Sequence, residues 1–165
     1  MRFVKIKTKA WYLVFIFLVT LNCNYKPLFN EEQFGKLNFK NIEISGDKRV
    51  AQIIVNKLNI IQKPSGKYSL LVDADKKVVI SNKSITGKVL EYSITITCQV
   101  KIRNNITMES IYTKEHVNSE NYKASKLYSD TINSEKKIIQ NTSNLIAKQI
   151  LNEVSLVLRL SLIHI

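Results

Sequence analysis

At 165 residues the chain is long enough for one domain once a targeting segment is set aside, and its 45% hydrophobic content excludes an intrinsically disordered protein. The formal charge of +12, from 25 basic against 13 acidic residues, points to an anionic partner: nucleic acid, a phosphorylated lipid or a membrane surface. Two cysteines are too few for a disulfide framework.

Residues 1–22 have the layout of a secretory signal, with a basic stretch "MRFVKIKTK" followed by the apolar run "WYLVFIFLVTL". The 11 residues from Trp11 to Leu21 reach only about 16 Å as a helix, half of a ~30 Å hydrocarbon core. The run therefore spans a bilayer poorly but suits translocation; an uncleaved anchor extended by Ala10 and Phe3 is the alternative. Cleavage would remove Arg2, Lys5, Lys7 and Lys9, leaving 21 basic against 13 acidic residues, a charge of +8. Only four of the 25 basic residues are Arg, and richness in Lys, Ile and Asn is also what AT-biased coding yields. Cys23 sits where a lipobox places its cysteine. Thr20, Leu21 and Asn22 stand in place of the usual residues, and Asn22 departs furthest from the small residue a peptidase needs.

After Cys23, "NYKPLFNEEQFGK" carries Pro27 and Gly35 and reads as a tether. "LNFKNIEIS" (37–45) reads as a short strand with Ile42 and Ile44 on one face. Gly46 breaks it, and Asp47 caps a helix "KRVAQIIVNKLN" in which Val50, Ile54 and Leu58 share a face. "KPSG" at 63–66 ends that unit. In the next strand Tyr68, Leu70, Val72, Ala74, Val78 and Ile80 keep even parity, with Ser69, Asp73, Asp75 and Lys77 opposite. The third strand alternates most clearly: Leu90, Tyr92, Ile94, Ile96, Cys98, Val100 and Ile102 against Ser93, Thr95, Thr97, Gln99, Lys101 and Arg103. Such alternation predicts an antiparallel sheet packed on one face and wet on the other. "RNN" (103–105) turns the chain into a fourth strand, "ITMESIYTKEHVNS". A long helix follows from about Ala124 to Leu158, its apolar stripe running through Tyr128, Ile132, Ile139, Ile146, Ile150, Val154 and Val157. The order β α β β β α predicts an α+β two-layer sandwich, a mainly antiparallel four-stranded sheet covered on one face by two helices. Residues 159–165, with "LSLIHI", read either as a natural hydrophobic end or as a translated sequencing adapter.

The residues offer no catalytic set, and no enzyme is expected. Asp73 and Asp75 share a strand face beside Lys76 and Lys77, which suits a solvated edge better than a carboxylate pair. Gly35, Gly46, Gly66 and Gly87 are isolated, so no phosphate-binding glycine loop exists. His116 and His164 lack partners at zinc spacing, so neither a metal nor a cofactor is expected. Anion recognition is better supported. Lys76, Lys77, Lys83, Lys88, Lys101 and Arg103 surround the second and third strands and form a candidate basic region on one sheet face or edge. Nucleic acid is a poor fit, because the strand faces lack aromatic stacking platforms.

In this order the segments resemble the LptE family of lipopolysaccharide-assembly lipoproteins over residues 23 to about 155. "CNYKPLF" is similar to the Cys-Gly-Tyr/Phe-x-Pro-Leu-Tyr start of those mature proteins, with Cys23 at the acylated position, Tyr25, Pro27 and Leu28 matching, Asn24 for Gly and Phe29 for Tyr. "IEISGDKRVAQIIVNKLN" and "EHVNSENYKASKLYSDTINSEKKIIQNTSNLIAKQIL" are similar to the family's strand-helix unit and long C-terminal helix. The resemblance implies residues 1–22 as a lipoprotein signal, 23–36 as a lipid-anchored tether, 37–158 as one domain and 159–165 as a tail. It also implies a protein anchored in the outer membrane, facing the periplasm and the barrel lumen. There it would plug an LptD-type β-barrel, assist its assembly and bind lipopolysaccharide, and the six basic residues are candidates for that contact by charge alone. A secreted or membrane-anchored domain for another anionic ligand is the alternative. On the lipopolysaccharide reading, changing Lys76 and Lys77 together to Glu is expected to weaken binding with little change in melting temperature.

Overall fold

The computed structural model describes residues 38–163, with side chains described to residue 157. The element order is β1 (Phe39–Gly46), α1 (Lys48–Leu58), β2 (Tyr68–Lys83), β3 (Val89–Asn104), β4 (Ser110–Lys123) and α2 (Tyr128–Ile163). The expected α+β sandwich with order β α β β β α is what the chain forms. Its sheet runs β1-β2-β3-β4, with β1 parallel to β2 and the remaining pairs antiparallel.

The β1-α1-β2 unit turns on two residues. Gly46 ends β1 with φ +71, beside Ala74 of β2. Asp47 then sends its backbone N–H to the Ala74 carbonyl at 2.6 Å, and its carboxylate accepts from the N–H groups of Arg49 (3.1 Å) and Val50 (3.2 Å). Two of the four unpaired N–H groups at the start of α1 are thereby satisfied. The buried stripe Val50, Ile54 and Leu58 packs on the sheet as the spacing required. Asn59, left-handed at φ 51, ends the helix.

Register places the even positions of β2 and β3 beneath the helices: Leu70 faces Ile102, Val72 faces Val100 and Ala74 faces Cys98. These residues are fully or almost fully buried, together with Ile94, Ile96, Ile146 and Ile150. Burial pushes the Cys98 thiol up to about 12, with the Asp73 charge adding to the effect, so it stays a neutral, inert core side chain.

Three details differ from the sequence expectation. β4 lies at 110–123 rather than starting at Ile106, because Asn104–Glu109 forms the turn and the Asn104 N–H donates to the Glu109 carbonyl. α2 begins at Tyr128, four residues later than expected, after Ser125 donates its N–H to Thr131 Oγ1 (2.8 Å). Tyr128, placed in the apolar stripe by its spacing, is instead 79% exposed on the first helical turn. Among the described residues no helix is long and apolar enough to cross a membrane. Residues 1–37, including Cys23, lie outside the described residues.

β4 turns a polar row toward α2, and this seam is closed by paired groups. Tyr112 donates to Glu153 at 2.9 Å, Lys114 donates to the same carboxylate at 2.8 Å, and the buried His116 meets the Tyr112 hydroxyl at 2.9 Å. The Tyr112 hydroxyl has one proton, given to Glu153, so His116 must donate its Nε2–H to Tyr112. Asn118 donates to Gln149 and Thr142 to Glu120 further along. At the other end of the seam Glu135 holds Lys76 at 3.6 Å, and burial, with the Glu135 charge adding to it, pushes the Tyr122 pKa up to about 12. Glu135 and Glu153 are 18 residues apart, about five helical turns, so they fall on one face of α2.

The seam carries a pH dependence. Burial lowers the His116 pKa below the ordinary 6.5, with Glu153 opposing and Lys114 assisting. Burial raises that of Glu153, but hydrogen bonds from Lys114 and Tyr112 and the nearby cations outweigh it and leave the carboxyl below 4.5. Both groups bind protons more readily in the unfolded chain, so stability must fall as pH falls. The first loss begins near 6.5, where unfolded His116 takes a proton the folded protein refuses, and the second begins near 4.5, where unfolded Glu153 protonates first. Thermal unfolding of His116→Gln should lack the first decline and keep the second. An unchanged profile would remove His116 from the seam's titration.

Candidate functional site

β2 and β3 are each 16 residues long, about 50 Å as strands, while the 11 residues of α1 cover about 16 Å. β1 ends opposite Ala74, so β2 beyond that point has neither α1 above it nor a strand on its outer edge. The outer edge of β2 and the hairpin tip are therefore left uncovered, while α2 keeps Ile94 and Ile96 of β3 buried. Val78, Ile80 and Leu90 keep the core-side parity expected of them, yet are 39%, 46% and 42% exposed. Parity fixes the face on which a side chain lies; it does not supply a layer to cover it.

The hairpin tip is ordered by its own polar groups. Ser84 donates its N–H to the Lys88 carbonyl (2.8 Å) and accepts the Lys88 N–H on Oγ (3.1 Å), and Gly87 turns the chain at φ +81. Ile85 at the apex is fully exposed. The register slips twice between Ile80 and Lys83, where Asn82 meets Glu91 and Lys83 meets Val89. α2 starts at this same end, because Ala124 donates its N–H to the Leu90 carbonyl (2.9 Å), and it adds the exposed Leu127 and Tyr128.

Lysines rim this apolar end. Lys83 and Lys88 flank the turn, and Lys123 closes β4 opposite Glu91; all three are exposed. An uncovered apolar strip edged by ammonium groups has the chemistry of a site for an amphiphile with an anionic head: hydrocarbon against Val78, Ile80 and Leu90, phosphate against the lysines.

The six basic residues singled out in the sequence do not form one cluster. Lys83 and Lys88 share the hairpin end, whereas Lys77 lies midway along the open face opposite Thr95, six positions from both Lys83 and Lys101. Lys76 has the opposite parity to Lys77, lies on the helix side and is engaged with Glu135. Reversing its charge would set two carboxylates together, so the Lys76, Lys77 double change to Glu would disturb the α2 seam as well as any ligand. Lys101 and Arg103 lie on the open face, opposite Leu71 and Ser69, where with Glu43 they line a shallow hollow. Lys83 pairs with Val89 and Lys101 with Leu71, which puts the hairpin pair and the Lys101–Arg103 pair about 40 Å apart along the strands. Asp73 accepts from Ser45 at 2.8 Å on the open face. Among the described residues no group of three or more His, Cys, Asp or Glu is placed to hold a metal. Sequence reading missed the exposed apolar strip and the His116 node. The signal for the first was the mismatch in length between the second strand and the first helix; for the second, the glutamates five turns apart.

No family model and no curated protein matches the sequence. Solved structures do match the fold. Rare lipoprotein B from Shewanella oneidensis aligns with TM-score 0.55 at 13% identity, over 70% of this chain and 93% of that one. A minor lipoprotein from Acinetobacter baumannii aligns with TM-score 0.52 at 15% identity, over 72% and 91%. Lipoprotein B from Nitrosomonas europaea aligns with TM-score 0.53 at 14% identity, over 78% and 90%. The fold is thus shared with small bacterial lipoproteins almost along their full length.

Proposed function

We propose that this chain is an outer-membrane lipoprotein, acylated at Cys23, that plugs the lumen of an LptD-type lipopolysaccharide translocon and binds lipopolysaccharide on its way to the outer leaflet. The observation that carries the reading is the hairpin end, whose apolar strip is left uncovered and edged by Lys83 and Lys88. Lipid A offers both halves of the complement, acyl chains and phosphates. Two further features support it. The "CNYKPLF" start resembles that of lipopolysaccharide-assembly lipoproteins, and the matched folds belong to proteins described as lipoproteins. The open sheet face, with Ser93, Thr95, Thr97 and Gln99, is polar enough to lie against the wet interior of a barrel.

Titration with purified lipopolysaccharide tests the binding half. Saturable binding is expected at low ionic strength, weakening as salt rises because the phosphate contacts are screened. Binding that is absent, or indifferent to salt, would contradict this. Equally tight binding to phosphatidylglycerol vesicles would favour a less selective anionic ligand.

A further inference from the structure

The end of the sheet opposite the hairpin has its own exposed apolar groups, which the lipid A reading does not use. In the β3-β4 turn Ile106 is 72% and Met108 62% exposed, and Ile61, in the loop after α1, is 59% exposed. These loops are neighbours in an ordered surface. Asn105 donates its N–H to the Lys67 carbonyl (2.8 Å) and accepts from Ser69 Oγ (2.7 Å), while Lys63 donates its N–H to the Phe39 carbonyl (2.8 Å). Asn104 Oδ1 accepts the Ile106 N–H at 2.9 Å, satisfying the turn's backbone while its apolar side chains stay outside. Met108 holds φ 62, a left-handed conformation that side-chain-bearing residues seldom take.

We propose that this loop end is a bilayer-contact surface, with Ile106 and Met108 in the interfacial region and the surrounding cations on anionic headgroups. Two observations choose a lipid surface as the occupant. The first is charge: Lys40, Lys63, Lys67 and Arg103 are all exposed here, against Glu109 in the turn itself. Cations around a small apolar tip match the layering of headgroups over acyl chains. The second is where the chain enters. Tyr68 donates its N–H to the Asn38 carbonyl (3.2 Å), so the 37 residues that precede Asn38, with the apolar run 11–21 and Cys23, join the domain at this end. A membrane segment or an acyl group on that stretch favours these loops, which lie where the chain enters the domain, over the hairpin about 50 Å further along the sheet. The inference goes beyond the lipid A reading and does not need it, since it concerns the other end of the sheet and plain phospholipid.

The test uses the full chain in a Trp11→Phe background, which removes the single native tryptophan, with Ile106→Trp or Ile85→Trp as the reporter. Each is added to vesicles of phosphatidylethanolamine with about 30% phosphatidylglycerol carrying brominated acyl chains. A blue shift and strong quenching are expected at position 106 and little of either at 85, with quenching at 106 reduced on phosphatidylcholine alone. Met108→Asp added to the Ile106→Trp reporter, a change at an exposed position that should leave the fold intact, should at least halve the quenching at 106, a local readout that the apolar run 11–21 does not supply. An unquenched reporter at position 106, equal quenching at both positions, or quenching at 106 unchanged by Met108→Asp would overturn the proposal. If lipopolysaccharide titration fails while the indole at position 106 is quenched, the lipid A reading falls and this one stands.

Discussion

Gly46→Ala should destabilise the domain by about 2–5 kcal/mol, whereas Gly87→Ala should cost only about 1–2 kcal/mol. Both glycines have positive φ, +71 and +81, so both substitutions incur the penalty of a left-handed alanine. They differ in surroundings. A methyl group on Gly46 would collide with the Ala74 carbonyl, which already accepts from Asp47, and would lie 2.8 Å from an Asp73 oxygen. The Ala74 backbone cannot yield without opening the β1-β2 pairing or the cap of α1. A methyl on Gly87 meets nothing within 4 Å. Urea unfolding of the two variants beside the native chain checks this, and comparable losses would show that Gly46 is not the pivot of the β1-α1-β2 unit.

Lys83→Glu with Lys88→Glu should weaken lipopolysaccharide binding about thirtyfold at low ionic strength, corresponding to about 1 kcal/mol for each cation on a partly solvated phosphate. The melting temperature should barely move, because neither lysine is in an ion pair within the described residues and exposed charges contribute about 0–1 kcal/mol. Lys101→Glu with Arg103→Glu makes the same change in net charge at the far end of the sheet. If site geometry rather than total charge governs recognition, the second pair should change affinity by no more than about threefold. Equal losses from both pairs would reduce the hairpin to a share of a diffuse positive field.

Much of this architecture was written locally in the chain. The alternation from Leu90 to Arg103 fixed the faces of β3, and through register those of β2, since a strand has one period and its buried set can lie on one side only. Asp47 and the 50/54/58 spacing fixed α1, because capping and burial are decided within a few residues. β4 was less legible. Its inward positions Lys114, His116, Asn118 and Glu120 are polar, and they become inward only because Glu153, Gln149 and Thr142 of a helix some 20 to 40 residues later meet them. The site was legible as composition and not as geometry. The lysines could be counted, but their division between hairpin end, helix seam and far end follows from parity combined with how far each helix reaches. Tyr128 shows the same limit, since helical spacing places it on the apolar stripe but its position before the sheet's cover begins leaves it in solvent.

Purification of the tagged chain from outer membranes under mild detergent, followed by mass spectrometry of everything retained, tests anchoring and partnership together. A lipid-anchored barrel plug should be recovered as a chain that begins at Cys23 with acyl groups on that residue, held by an outer-membrane β-barrel in stoichiometric amount. A chain recovered alone, or one with the leader intact and a bare thiol at Cys23, would contradict that role.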